Sequence, residues 1–151
     1  MSGPDGQLHV VCPDCGTTNR VLRGRLGEAP VCGNCRKPLF PGEPIALDAG
    51  SFERHVKASG SVPLVVDFWA AWCGPCRVMA PAFEQAAARV PPGVRLAKLD
   101  TEAEQEIAAR YGIRSIPTLI AFRDGREVAR QSGALNLPQL MHWIDTHARP
   151  N

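Results

Sequence analysis

The sequence predicts a mixed α/β fold, a central sheet with helices on both faces, preceded by a small cysteine-bearing module. Three observations carry this reading. From residue 45 onward, strand and helix patterns succeed one another as β-α-β-α-β-α-β-β-α, which requires a mixed sheet covered on both sides. Within that order, Pro63 to Ala70 is an apolar, valine-rich run of strand length, as expected for a central strand buried on both faces. The six cysteines fall into three C-x2-C pairs, two ahead of residue 45 and one directly after that run.

Composition narrows the classes. A chain of 151 residues has room for one domain and a small appendage. With 44% hydrophobic and 21% charged residues it is expected to build a core rather than remain disordered. A formal net charge of +2 is too small to argue for nucleic acid. No apolar run approaches the roughly 20 residues of a membrane span. The start, Met1 to Gly6, lacks the basic and apolar regions of a secretory signal. The chain is therefore expected in a reducing cytosol, where cysteine pairs bind metal or do redox chemistry more often than they form structural disulfides.

In the first module, Cys12-Pro13-Asp14-Cys15 and Cys32-Gly33-Asn34-Cys35 are separated by residues 16–31. That interval lies within the roughly 15–20 residues typical of four-cysteine zinc sites. Each pair forms a tight turn aiming two thiolates at one point, and Gly16 and Gly33 permit the positive φ such turns use. Four thiolates match one closed, tetrahedral, structural zinc ion with no open position. Two disulfides, or free thiols, are the competing readings. His9 would be a fifth ligand and is expected to be solvated. Arg20–Arg23 reads as a short strand and Gly24–Pro30 as a turn. With so few large apolar residues the segment needs the metal to fold. Arg20, Arg23, Arg25, Arg36 and Lys37 are expected to offset the charge of about −2 on a zinc tetrathiolate. Interspersed Asp5, Asp14, Glu28 and Glu43, and the lack of an aromatic residue between the cysteines, disfavour nucleic-acid binding. Lys37–Pro44, with Pro38, Pro41, Gly42 and Pro44, reads as a short stiff linker. The expected division is a metal module over 1–40, a linker over 41–46 and a second domain over 47–151.

In that domain Ile45–Leu47 is a short strand. Asp48 or Ser51 then caps a helix with Phe52, Val56 and Val62 on its apolar side. A second helix spans Cys73 to Val90, with Val78, Met79, Phe83 and Ala87 on one face. It contains Pro81, a kink residue, and stops at Pro91-Pro92-Gly93. Val94–Leu99 alternates as a strand. Glu102–Tyr111 is a short helix ended by Gly112. Thr118–Phe122 and Glu127–Gln131 flank Asp124-Gly125 as a hairpin. Asn136 caps a last helix that turns Leu140, Trp143 and Ile144 inward.

The chemistry concentrates in Trp72-Cys73-Gly74-Pro75-Cys76. A cysteine at the first turn of a helix sits beside unpaired N–H groups and the positive end of the helix dipole, which favour the nucleophilic thiolate. Cys76, one turn along, can attack a mixed disulfide formed at Cys73. Asp67 breaks the apolar strand. A buried carboxyl has a raised pKa and suits a proton acceptor near the thiols. Lys98, on the neighbouring strand, either modulates Asp67 or is simply solvated.

These residues resemble the thioredoxin family. The likeness rests on Val66-Asp67-Phe68-Trp69-Ala70, Trp72–Cys76, Pro81, Lys98-Leu99-Asp100, Tyr111 to Thr118 and Gly133-Ala134. The two leading C-x2-C pairs are similar to the zinc-binding thioredoxin-2 type. The resemblance implies a thioredoxin fold preceded by a zinc-ribbon-like module. It implies Cys73 as attacking and Cys76 as resolving cysteine, Asp67 as acid-base residue, and a cis Pro117 against the pair. Trp72, Ile116 and the Gly133-Ala134 backbone would grip an extended client strand. Gly74-Pro75 between the cysteines favours the reductive direction. The implied partners are oxidised client proteins and an NADPH-dependent thioredoxin reductase, with no tightly bound organic cofactor. The alternative is a zinc-dependent, chaperone-like interaction module on the same scaffold. A further possibility is zinc release on oxidation, acting as a sensor.

Overall fold

A computed structural model describes residues 6–150; the amino-terminal reading of Met1 to Asp5, and Asn151, lie outside the described residues. Strands β1 (Gln7–Val11) and β2 (Thr18–Leu22) pair antiparallel and are followed by a 3-10 stretch over Arg23–Glu28. Then come β3 (Ile45–Ala46), α1 (Ala49–Lys57), β4 (Leu64–Trp69), α2 (Gly74–Arg89), β5 (Arg95–Asp100), α3 (Gln105–Arg110), β6 (Thr118–Arg123), β7 (Arg126–Ser132) and α4 (Leu137–His147). The larger sheet has the order β3-β5-β4-β6-β7. β3, β5 and β4 are parallel, while β6 and β7 run antiparallel.

β4 is central, and alternate residues of it feed two cores. Val65 joins Leu96 and Leu119 beneath Met79 and Phe83 of α2 and Leu140, Trp143 and Ile144 of α4. Leu64, Val66 and Phe68 join Ala97, Leu99 and Ile120 beneath Phe52 and Val56 of α1 and Ile107 of α3. Phe52, Tyr111 and Phe122 meet edge to face at centroid distances of 5.5–5.8 Å. Local signals fix the ends. Asp48 and Ser51 cap α1 reciprocally, and Asn136 and Gln139 do the same for α4. Asp124 and Gly125 both have positive φ, 54° and 75°, as the tight β6–β7 turn requires.

Several expectations need correction. β1 carries no strand reading in the sequence, and β2 begins two residues ahead of Arg20–Arg23 and ends at Leu22. Val78 projects from α2 at 76% exposure and is not on its packed face. Val62 belongs to no face of α1; it is buried with Leu8, Val10, Leu26 and Leu39 of the amino-terminal module. Lys37–Pro44 is more than a linker: Leu39 is fully buried and its N–H donates to the Pro30 carbonyl at 3.0 Å. Arg95, in a strand read as alternating, is buried because the module covers that end of β5. Among the described residues no helix is long and apolar enough to cross a membrane.

Phe52→Ala removes the ring shared by two aromatic contacts at a fully buried position, and should cost about 3–5 kcal/mol in urea unfolding. Asp48→Ala, which removes one half of a cap, should cost only about 1 kcal/mol.

Candidate active site and metal centre

β4 delivers the chain to the first cysteine. After Trp69, the buried Ala70 carbonyl accepts from the Cys73 N–H at 3.2 Å, tightening the turn into α2. Cys73 is the N-cap of α2 with extended backbone, φ −84° and ψ 114°, and its Sγ accepts from the Cys76 N–H at 3.2 Å. Pro75 sits in the first turn, where its missing N–H costs no helix bond. Cys73 and Cys76 are joined in a disulfide. Both residues are largely covered, at 4% and 2% exposure. Exposure belongs instead to its neighbour Trp72, at 65%.

The Ile116–Pro117 bond is cis, and the Ile116 carbonyl oxygen lies 3.5 Å from Cys73 Sγ. Ala70, Cys73 and Cys76 cluster with Trp69 and Ile116. Gly133, at φ 94°, donates its N–H to the Pro117 carbonyl at 2.9 Å and ties the next loop to the same place. Arg77 donates to the Ala71 carbonyl at 2.7 Å and braces the turn. Beside the disulfide runs a groove of about 330 Å³ lined by Trp72, Thr101, Gln105, Ile113, Arg114 and Ile116. Thr101 also anchors Trp69 through its hydroxyl at 3.0 Å. The sequence reading missed this α3 side of the groove, because only the fold brings residues 101–114 beside Trp72.

Asp67 is buried on the Val65 face of β4, opposite Lys98 on β5 and Leu119 on β6. Burial pushes its carboxyl up to about 7, partly opposed by the Lys98 charge. Its Oδ1 has no hydrogen-bond partner among the described residues. Lys98 is half-buried, with Nζ 4.4 Å above the Trp69 ring. The lysine is thus neither fully inward nor simply solvated.

The other four cysteines converge separately. Cys12, Cys15, Cys32 and Cys35 place their sulfurs within 4.8 Å of one another, with Cys12–Cys35 and Cys15–Cys32 at 3.6 Å. A metal about 2.3 Å from four tetrahedral sulfurs sets them about 3.8 Å apart, so the donor set fits zinc. The two turns are near copies. Cys12 and Cys32 donate their N–H groups to the Thr17 and Lys37 carbonyls, each at 2.8 Å. The N–H groups of Asp14, Cys15 and Asn34 point at the Cys12 and Cys32 sulfurs at 3.4 Å. The left-handed residues are Gly16, φ 79°, and Arg36, φ 69°. Gly33 is not left-handed; its N–H instead binds Asn19 Oδ1 at 2.9 Å. His9 is exposed, as expected. Two of the surface cations pair locally, Lys37 with Asp14 and Arg25 with Glu28, each at 3.0 Å. The buried cation of this region is Arg95, which the sequence reading did not single out.

The two cysteine sets lie at opposite ends of β4. The module packs on Val62 and Arg95, next to the start of β4, and Cys73 follows its end. Six strand residues between them span on the order of 20 Å, too far for the sets to exchange thiols directly.

Comparison with known proteins agrees with both parts. The family model for thioredoxin matches residues 43–146, and that described as thioredoxin 2, N-terminal, matches residues 11–37. Thioredoxin C-3 of Corynebacterium nephridii is 45% identical over 136 residues, 90% of this chain and 92% of that protein. Thioredoxin 1 of Synechococcus elongatus is 41% identical over 102 residues, 68% of this chain and 94% of that protein. Among solved structures, a mutant thioredoxin from Halobacterium salinarum superposes with a TM-score of 0.63 at 30% identity, covering 72% of this chain and 93% of that one. The cysteine pair capping α2, the fold around it and these relatives together show that the chain belongs to the thioredoxin family and is a thioredoxin-type oxidoreductase with an amino-terminal four-cysteine zinc-ribbon module.

Proposed function

We propose that the chain is a cytosolic protein-disulfide reductase with Cys73 as attacking sulfur. The observation that carries this is Cys73 capping α2 with its sulfur accepting an N–H of the first turn. The same N–H stabilises negative charge on the sulfur once the pair is reduced. The Cys73 thiolate attacks one sulfur of a client disulfide. A Cys73–client S–S bond forms, and the other client sulfur leaves as a thiolate that takes up a proton. Cys76 then gives its proton to Asp67 and attacks Cys73. The Cys73–Cys76 bond closes and the client leaves with both cysteines reduced. The chain's own pair is now oxidised, and thioredoxin reductase returns two electrons from NADPH.

Trp72, Gly74, Pro75, Ile116, Pro117 and Gly133 surround the pair as the face that receives an extended client segment. Asp67 suits a proton carrier because a carboxyl near 7 changes state at working pH, and Lys98 tunes it. One zinc ion, held by Cys12, Cys15, Cys32 and Cys35, supplies a structural cross-link for a module too small to fold otherwise.

Cys73→Ser is expected to reduce turnover of a protein disulfide to background, while Cys76→Ser should accumulate a mixed disulfide seen as a client adduct by mass spectrometry. Wild-type turnover by Cys73→Ser would overturn the assignment.

Asp67 also predicts a pH signature in the oxidised protein. Its folded pKa, about 7, lies above the ordinary 3.8, so the fold binds the acid form more tightly. No cost arises below the ordinary carboxylate range. Stability then falls as pH rises from that range through about 7, by an amount on the order of 4 kcal/mol, and levels off above it. Asp67→Asn should flatten stability across that window in urea titrations. An unchanged slope would show that Asp67 is not the titrating group.

A further inference from the structure

The metal module and the redox sheet meet at one buried cation. Arg95 opens β5, is 4% exposed, and donates its main-chain N–H to the Pro63 carbonyl at 2.9 Å. Its guanidinium reaches into the module: Nη1 donates to the Leu39 carbonyl at 2.7 Å and Nη2 to the Val11 carbonyl at 2.9 Å. The Phe40 ring covers it, with the guanidinium carbon 5.0 Å from the centroid. Among the described residues no carboxylate pairs with it, and its Nε has no hydrogen-bond partner. His55, which lines the same small cavity from α1, offers no anion. A guanidinium buried this way is strongly unfavourable without an opposite charge. The carbonyl it binds at Val11 belongs to the residue directly before Cys12, one of the four clustered sulfurs.

The two carbonyls come from different halves of the metal centre. Val11 leads into the Cys12–Cys15 turn. Leu39 follows the Cys32–Cys35 turn, which closes on Lys37 through the Cys32 N–H. They converge on one guanidinium because both turns converge on one point. We propose that Arg95 is the counter-charge of the four-thiolate centre and the clamp that makes module and sheet one cooperative unit, an inference that rests on metal binding by Cys12, Cys15, Cys32 and Cys35. A zinc ion held by four thiolates leaves a net charge of about −2, which a cation bound to the carbonyls flanking both turns partly offsets. Losing the metal frees the two turns, separates the carbonyls and leaves the cation stranded at the start of β5. Losing the cation leaves the thiolates without their buried partner. Retention of the metal and order in β5 therefore depend on each other. Arg95 is a positioning residue, remote from the Cys73–Cys76 pair.

The test uses the full, zinc-loaded chain, with zinc content read by native mass. Release to a colorimetric chelator is compared for wild type, Arg95→Lys and Arg95→Met. Arg95→Met should hold zinc less tightly, by roughly the 10- to 100-fold in affinity typical when groups surrounding a metal site are removed, and release it correspondingly faster. Arg95→Lys, which keeps the charge but cannot span both carbonyls, should fall between. Equal release from the Lys and Met variants overturns the counter-charge, and wild-type release from Arg95→Met overturns the clamp. If Arg95→Met does not fold, hydrogen exchange on the wild type decides. Stripping zinc should raise exchange at the Leu96 and Ala97 amides, and unchanged protection there overturns the clamp. A wild-type chain that carries no zinc overturns the metal reading itself, and the clamp with it.

Discussion

A sulfur held at the mouth of a helix is the constraint on which the redox half depends. Cys73 must leave β4 in extended backbone, turn at Ala70 and present Sγ to the first free N–H groups of α2. That geometry exists only if β4 is fixed from both faces. The two cores around Val65 and around Leu64, Val66 and Phe68 do so, and β5 and β6 hold its edges. The rest of the site follows from the same strand. The alternation of β4 turns Asp67 to the Val65 face, and the low dielectric of the packed interior pushes its carboxyl up to about 7. Ile116 reaches the disulfide because β6 is the antiparallel neighbour of β4 and begins at Thr118.

The amino-terminal module obeys a different constraint. Its apolar cluster is small, Leu8, Val10, Val21, Leu26 and Leu39 with Cys12 and Cys32, and it borrows Val62 from the chain that enters β4. Four sulfurs within 4.8 Å of one another sit beside that small core and form a donor set that fits a metal. The module's attachment at the start of β4 and β5 is at the opposite end of β4 from Cys73. One fold thus carries two separate cysteine sets: four sulfurs gathered in the zinc-ribbon module, and a disulfide pair at the mouth of α2.

How much of this the residues announce depends on range. Trp72–Cys76, the valine-rich run and Asp124-Gly125 state their roles within a few positions, because motif, strand pattern and turn chemistry are local. Asp67 is legible as an anomaly, a charge in an apolar run. Arg95 is not, since an arginine at the start of an alternating strand reads as solvated; segments 56 and 84 residues earlier, at Leu39 and Val11, bury it. Leu39 itself hides among prolines that mimic a linker. The left-handed position in the second metal turn is held by Arg36, so searching for glycine finds Gly33 instead. β1 is short and lies in a region where the cysteines dominate the pattern. At Arg95 and Leu39 a tertiary contact overrides the local signal.

The most direct test of the central claim is the acidity of the Cys73 thiol in the reduced protein, read from the pH dependence of its alkylation by iodoacetamide. A sulfur stabilised by the first turn of α2 should alkylate with a midpoint clearly below the value of about 8.5 of an ordinary thiol. A midpoint at or above that value would contradict the account.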